Sequence, residues 1–271
     1  MKFICFSKLY KELSVEKLVN AVKGIGAEGI DLCVRDGYPV NPANARKDLP
    51  KAADRIRRAG LDIPLVSAST NLTDPNDPTA EPLFAACHDA HVPNIKLGYW
   101  KFSGRGYWKD VDAARKELDG FEKLGSRFGV RACLHTHSGA FLGLNASSLM
   151  DLARGFNPSH VGAYLDPGHL ALCGEPPAMA VDIAGDYLCM VAIKDSLWEK
   201  GKDGAARKSH FLPLGQGMVE WRDVLRALKA HGYSGPLSFH SEYEGLSTVD
   251  ILEQTRKDLG FMRKVETEIT G

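Results

Sequence analysis

Several short apolar runs in this 271-residue chain end in residues able to bind metal or move protons. One run ends LHTH with His135 and His137, another LDPGHL with Asp166 and His169, a third AIKD with Lys194 and Asp195, and a fourth SFHSEYE with His240 and Glu242. Asp31 and Arg35 follow a similar run nearer the N-terminus, and Lys96 and Trp100 follow another. Side chains alternate along a strand, so His135 shares a face with His137, and His240 with Glu242. Asp195 falls on the face opposite Lys194 and is expected to pair with a helix end or a neighbouring lysine. Taken singly, each residue has an ordinary explanation as a satisfied polar group or a helix cap. Imidazoles and carboxylates arriving together from several strands are different, because burying them without a metal, a substrate or mutual pairing is costly. The chemistry within reach of such a set is metal binding and general acid/base catalysis.

Those residues need a scaffold that gathers strand ends. Eight β-prone runs, KFICF, GIDLCV, DIPLVS, NIKLGY, RACLHT, GAYLD, LCMVAIK and PLSFHS, alternate with segments whose apolar residues recur at helical spacing. Val15, Leu18, Val19 and Val22 form one such face, and Val224, Leu225, Leu228 and His231 another. Gly60, Gly129 and Gly232 stand where helices would stop, and Ser14 or Asp110 where they would start. The alternation specifies βα units around a parallel sheet, and about eight of them in a chain of this size close into a (β/α)8 TIM barrel of the α/β class. A doubly wound sheet would show a glycine-rich phosphate turn after its first strand; here that strand runs into SKLYKELS. The stretches Asp74 to Pro82 and Lys200 to Ala206 read as surface loops, and nothing divides the chain, so residues 1–271 form a single domain.

The 34 Lys and Arg balance 34 Asp and Glu, which argues against a partner such as nucleic acid. A composition 44% hydrophobic and 25% charged excludes disorder and fibrous repeats. Lys8 and Lys11 interrupt the first apolar stretch before a secretory signal could form, and no run approaches a membrane span, so a soluble, cytoplasmic protein with no membrane partner is expected. Cys5, Cys33, Cys87, Cys133, Cys173 and Cys189 are scattered without a paired motif and read as buried free thiols.

GIDLCVR, LDPGHL, IKD, PLGQGMVEW and GYSGPLSFHSEYE, taken together, resemble the sugar phosphate isomerase/epimerase group of xylose isomerase-like TIM barrels, related in fold to endonuclease IV. The resemblance spans nearly the whole chain. It implies one divalent metal, held in that family by a Glu, an Asp, a His and a Glu after strands five to eight. Only the Asp is kept here, as Asp166; His135, Ala192 and His240 occupy the other places, with Glu242 two residues further on. The ligand set implied is His135, Asp166 and His240, which suits Mn, Fe, Co or Zn better than the harder Mg. The reaction implied is proton abstraction next to the carbonyl of a sugar or keto-sugar. Glu242 is the implied base, its acidity weakened by desolvation, and Lys194 stabilises the oxyanion or else pairs with Asp166 or Glu242. His169, His137, Arg35 and Lys96 would hold hydroxyls, and Trp100 would stack on a sugar face. A 3-keto-glycoside lyase and a non-catalytic sugar-binding barrel with a decayed metal site stay open beside the isomerase or epimerase. DNA repair fits the fold only. Gly215 and Gly217 read as a turn rather than an anion cradle. Substrate phosphorylation and association into a homo-oligomer are open.

Overall fold

Strands that are apolar along their whole length cannot leave a face in water, and parallel sheets covered on both sides accommodate them. The computed structural model describes residues 1–202 and 205–270. In it the runs become β1 (Lys2–Phe6), β2 (Gly29–Cys33), β3 (Asp62–Ser67), β4 (Asn94–Lys96), β5 (Arg131–His135), β6 (Val161–Leu165), β7 (Leu188–Ile193) and, later, β10 (Pro236–Phe239). These eight close into a barrel in the order β1-β10-β7-β6-β5-β4-β3-β2, where the first strand meets the last with Cys5 beside Phe239. The (β/α)8 expectation therefore holds.

Inward side chains, including Ile4, Leu65, Cys133, Tyr164, Met190 and Ala192, fill the barrel. Outward faces pack on the helices in a second, larger apolar layer. Each large apolar side chain so buried contributes about 1.5–3 kcal/mol. The helices are α1 (Val15–Ile25), α2 (Ala45–Arg58), α3 (Ala80–Asp89), α4 (Tyr107–Phe128), α5 (Ala146–Ala153), α6 (Pro167–Cys173), α7 (Pro177–Ala184), α8 (Trp221–Ala230) and α9 (Thr248–Glu268).

Ser14 caps α1 by accepting from the Lys17 amide, and Gly129 ends α4 in the left-handed region (φ 63°). Asp110 does not cap. It lies inside the first turn of α4, where its carboxylate accepts from the Ser103 amide and hydroxyl at 2.7 Å each and fastens the preceding loop. The expected loop to Pro82 stops earlier, because α3 begins at Ala80.

A two-stranded antiparallel ribbon, β8 (Asp195–Glu199) and β9 (Lys208–Leu212), follows β7 after one residue, Lys194. The loop expected from Lys200 to Ala206 connects its strands, with Asp203 and Gly204 outside the described residues. All six cysteines are free, five buried and Cys173 half-buried. Among the described residues no helix is long and apolar enough to cross a membrane.

Candidate active site

The segment after β6 shows how the sequence builds the centre of the barrel mouth. Asp166 stands at the N-cap of α6 and Pro167 at its first position, the arrangement that a strand running directly into a helix favours. Gly168 is required there because a Cβ would lie 2.7 Å from the Lys194 carbonyl oxygen. The close approach brings the start of α6 against the end of β7. One oxygen of Asp166, Oδ1, accepts from the amides of Gly168 (2.9 Å) and His169 (3.3 Å). The other, Oδ2, points into the mouth and has no hydrogen-bond partner.

Three groups surround that free oxygen. His135 Nε2 lies 3.6 Å away, His169 Nε2 3.7 Å and Lys194 Nζ 3.6 Å. The two imidazole nitrogens are also buried and unpartnered. Each ring is anchored through its other nitrogen: His135 Nδ1 contacts the Tyr99 hydroxyl at 3.2 Å, and His169 Nδ1 contacts the Ser138 hydroxyl at 2.9 Å. Burial, reinforced by Lys96, holds His135 well below its ordinary value, and burial brings His169 down to about 3. Both rings are neutral at pH 7 and can present a lone pair.

His240 sits on a second network. The Tyr164 hydroxyl is 2.7 Å from His240 Nε2 and 3.2 Å from Asp31 Oδ2, while Ser67 and Ser238 donate to Asp31 at 2.7 and 3.1 Å. Tyr164 thus bridges His240 Nε2 and the Asp31 carboxylate. The ring stacks on Phe6 at 4.2 Å and lies parallel to His135 at 5.5 Å. Donor atoms of His135, Asp166 and His240 all fall within 4.8 Å of one another. Orphaned, neutral, second-atom-anchored imidazoles beside a free carboxylate oxygen fit a divalent cation. The orphaned atoms add His169 to the residues able to hold it.

Glu242 contacts both Lys194 and Lys8. Burial pushes its carboxyl up, but Lys194, His240 and Lys8 outweigh burial and hold it well below the ordinary range. The expectation of a weakened acid near neutrality is therefore corrected. Lys194 pairs with Asp166 and Glu242 together; burial lowers its ammonium, and the two carboxylates more than restore it, to above the ordinary value. Asp195 also departs from expectation. Its carboxylate accepts from the amides of Gly215 (2.8 Å), Gly217 (3.1 Å) and Val219 (3.1 Å) and from the Trp221 indole (3.3 Å), so it clamps the PLGQGMVEW loop rather than a lysine. Gly217 leaves room for that clamp, since a Cβ would collide with the carboxylate.

His137 stacks on His169 at 4.1 Å and donates through Nδ1 to the Ser138 carbonyl (2.9 Å). Arg35 lies 5.8 Å from the Phe6 ring and donates through Nε to the Ala68 carbonyl (2.8 Å). Lys96 is fully buried at the end of β4. Trp100 is not a stacking platform: its indole donates to Glu117 of α4 and its ring meets Phe121 edge-on at 6.3 Å, which turns it to the helix layer. Phe211 of β9 stands nearer the centre, 4.4 Å from Lys194 Nζ and edge-on to His169 at 5.9 Å. Sequence reasoning missed Lys8, Tyr99, Tyr164 and Phe211. Lys8 lies in a short 3-10 helix just past β1, where strand alternation gives no signal.

A closed parallel barrel whose strand ends converge on imidazoles, carboxylates and an ammonium defines a (β/α)8 protein with a polar mouth. The chain belongs to the xylose isomerase-like TIM barrel family, whose model it matches over residues 19–265. Inosose dehydratase from Lacticaseibacillus casei is 27% identical over 258 residues, covering 88% of this chain and 85% of that protein. The fold is shared with a D-tagatose 3-epimerase-like protein at a TM-score of 0.76 (17% identity, 100% of this chain and 98% of that one). It is also shared with 3-keto-D-glucoside 4-epimerase from E. coli at 0.75 (14% identity, 97% and 99%).

Proposed function

We propose that this chain is an enzyme that removes the proton next to the carbonyl of a keto-sugar or polyol ketone, in the manner of a sugar isomerase or epimerase. The observation that carries the reading is the contact of Glu242 with Lys194, beside a free oxygen of Asp166. Enolisation needs a group to take the proton and a group to meet the charge that develops on oxygen. Glu242, ionised throughout the physiological range, is in the accepting form. When a substrate oxygen draws Lys194 away, the carboxylate loses its strongest partner and becomes more basic at the moment it is needed. Lys194, held charged by its two carboxylates, then faces the developing oxyanion.

His135 and Asp166, with His240 or His169, would hold a divalent cation, and mixed imidazole and carboxylate donors favour Mn, Fe, Co or Zn. Such an ion supplies Lewis-acid polarisation of the substrate carbonyl. Arg35 and His137 stand where they can hold hydroxyls, and Phe6 and Phe211 offer apolar faces to the C–H side of a ring.

Elimination is a second reading, supported by the similarity to inosose dehydratase and by the imidazole of His135 where a paired-carboxylate epimerase would carry a Glu. It shares the first proton transfer and differs in what the enediolate does next. The test is incubation of protein purified with Mn2+ with D-tagatose, D-fructose, a 3-keto-glucoside and an inosose, read by mass spectrometry and NMR. Retained mass with a changed spectrum supports isomerisation or epimerisation; loss of one water, or release of an aglycone, supports elimination. No turnover of any of them, together with no bound metal, overturns the enzyme reading in favour of a sugar-binding barrel.

A further inference from the structure

Lys96 takes no part in the ion pairs around Glu242. Its Nζ makes a single long hydrogen bond, to the carbonyl of its own neighbour Leu97 (3.3 Å), and lies 4.1 Å from the centre of the Tyr99 ring. Among the described residues no carboxylate pairs with it, whereas Lys194 touches two. The register turns it inward, because its partners are Ser67 of β3 and Cys133 of β5. Ser67 donates to the interior Asp31, and Cys133 belongs to the interior apolar cluster. In the barrel order β4 is four strands from β10 in either direction. The ends of β4 and β10 thus face each other across the mouth, with β6 and Asp166 two strands from each. A buried ammonium without a carboxylate is a costly way to fill space that an apolar side chain would fill without penalty.

We propose that Lys96 is a second proton-transfer residue, acting on the substrate face opposite Glu242. The proposal rests on the enolisation reading above. Glu242 takes the α-proton, and the C–H electron pair passes into the enediolate. In epimerisation the pair returns to the same carbon, which receives a proton from the Lys96 ammonium on the other face. In dehydration the pair expels the hydroxyl of the neighbouring carbon, and the departing oxygen takes the Lys96 proton and leaves as water. Either course ends with Glu242 as the acid and Lys96 as the free amine, and both are reset through solvent.

The charged and titratable groups facing Lys96 are Asp31 and Cys33 of β2, Arg35 beyond it, Tyr99 in the following loop, Cys133 and His135 of β5 and Glu242 across the mouth; Ser67 faces it from β3. Burial first and Arg35 second bring the ammonium down to about 7, so both proton-transfer forms exist near neutrality.

The test uses wild type, Lys96→Met, Lys96→Arg and Glu242→Gln, all purified with Mn2+ and incubated in D2O with D-tagatose, D-fructose and an inosose. NMR reads deuterium entry at the carbon beside the carbonyl separately from product formation. Lys96→Met is expected to keep deuterium entry within about threefold of wild type and to form product at least about 100-fold more slowly, the scale of one acid/base group. Lys96→Arg, whose guanidinium does not release a proton near neutrality, behaves the same way, and Glu242→Gln loses both signals. Equal loss of exchange and product in Lys96→Met, or loss of neither, overturns the role of Lys96. Absence of exchange in wild type with all three ketones overturns the enolisation reading, and this proposal with it.

Discussion

Asp166 gives one carboxylate oxygen to two backbone amides and leaves the other free beside His135, His169 and Lys194. Asp166→Asn keeps an acceptor for the helix cap and removes the charge. It is expected to lower bound metal at least tenfold by inductively coupled plasma mass spectrometry, with its unfolding midpoint within a few degrees of wild type. Equal metal in both proteins would sink the ligand assignment. Lys96 carries a prediction of opposite sign, for stability. Its folded value of about 7 lies below the ordinary 10.5, so between the two the unfolded chain holds a proton that the folded chain does not. Stability from this group is complete above about pH 10.5 and is lost as pH falls to about 7. Lys96→Met is therefore expected to exceed wild type by on the order of a few kcal/mol near pH 6.5 in urea denaturation, with the gap closing toward pH 10. A constant gap would contradict it. The residues legible in advance, His135, Asp166, Lys194, His240 and Glu242, end strands or follow them closely, where parity and position fix direction. Trp100 was misplaced because β4 stops at Lys96, and strand alternation carries no information past that point. Glu242 is more acidic than the sequence suggests because Lys194, His240 and Lys8 converge on it from separate elements, Lys8 from 234 positions away.

The loop before α8 is held by the buried carboxylate of Asp195, which four donors from Gly215, Gly217, Val219 and Trp221 address. Asp195→Ala leaves those donors without their acceptor, the Val219 amide and the Trp221 indole being buried. A loss of about 3 kcal/mol or more is expected, since each buried unsatisfied group costs about 1–3 kcal/mol. Denaturant titration checks it, and an unchanged midpoint would mean that the loop repacks freely. The barrel elements were readable because the strands are short, mainly apolar runs between helical faces. The β8–β9 ribbon was not, since SLWEK and KSHFL mix charged and apolar residues and gain strand character only from each other. That ribbon supplies Phe211 to the mouth, so the aromatic assigned in advance to a residue after β4 comes instead from an element after β7.

Across the whole molecule, stability and chemistry rest on different residues. The apolar layers inside and outside the barrel contain none of the candidate metal ligands His135, Asp166, His169 and His240, so stripping metal with a chelator should leave the fold intact. Restoring Mn2+ to one hundred times its dissociation constant is expected to add about 2.7 kcal/mol, or about 5–10 °C in the unfolding midpoint for a chain of this size. Circular dichroism melts with and without Mn2+ decide this, and superimposable curves would argue against a specific site. The closure of β10 on β1 has a further consequence, for biosynthesis. Lys8 follows the first barrel strand and its partner Glu242 follows the last, 234 positions later, so the ion pair between them waits on synthesis of β10. A chain cut before β10 would lack Glu242, the proton acceptor proposed above, together with the strand that completes the ring. The proposed site is complete only when β10 joins β1 and the ring closes.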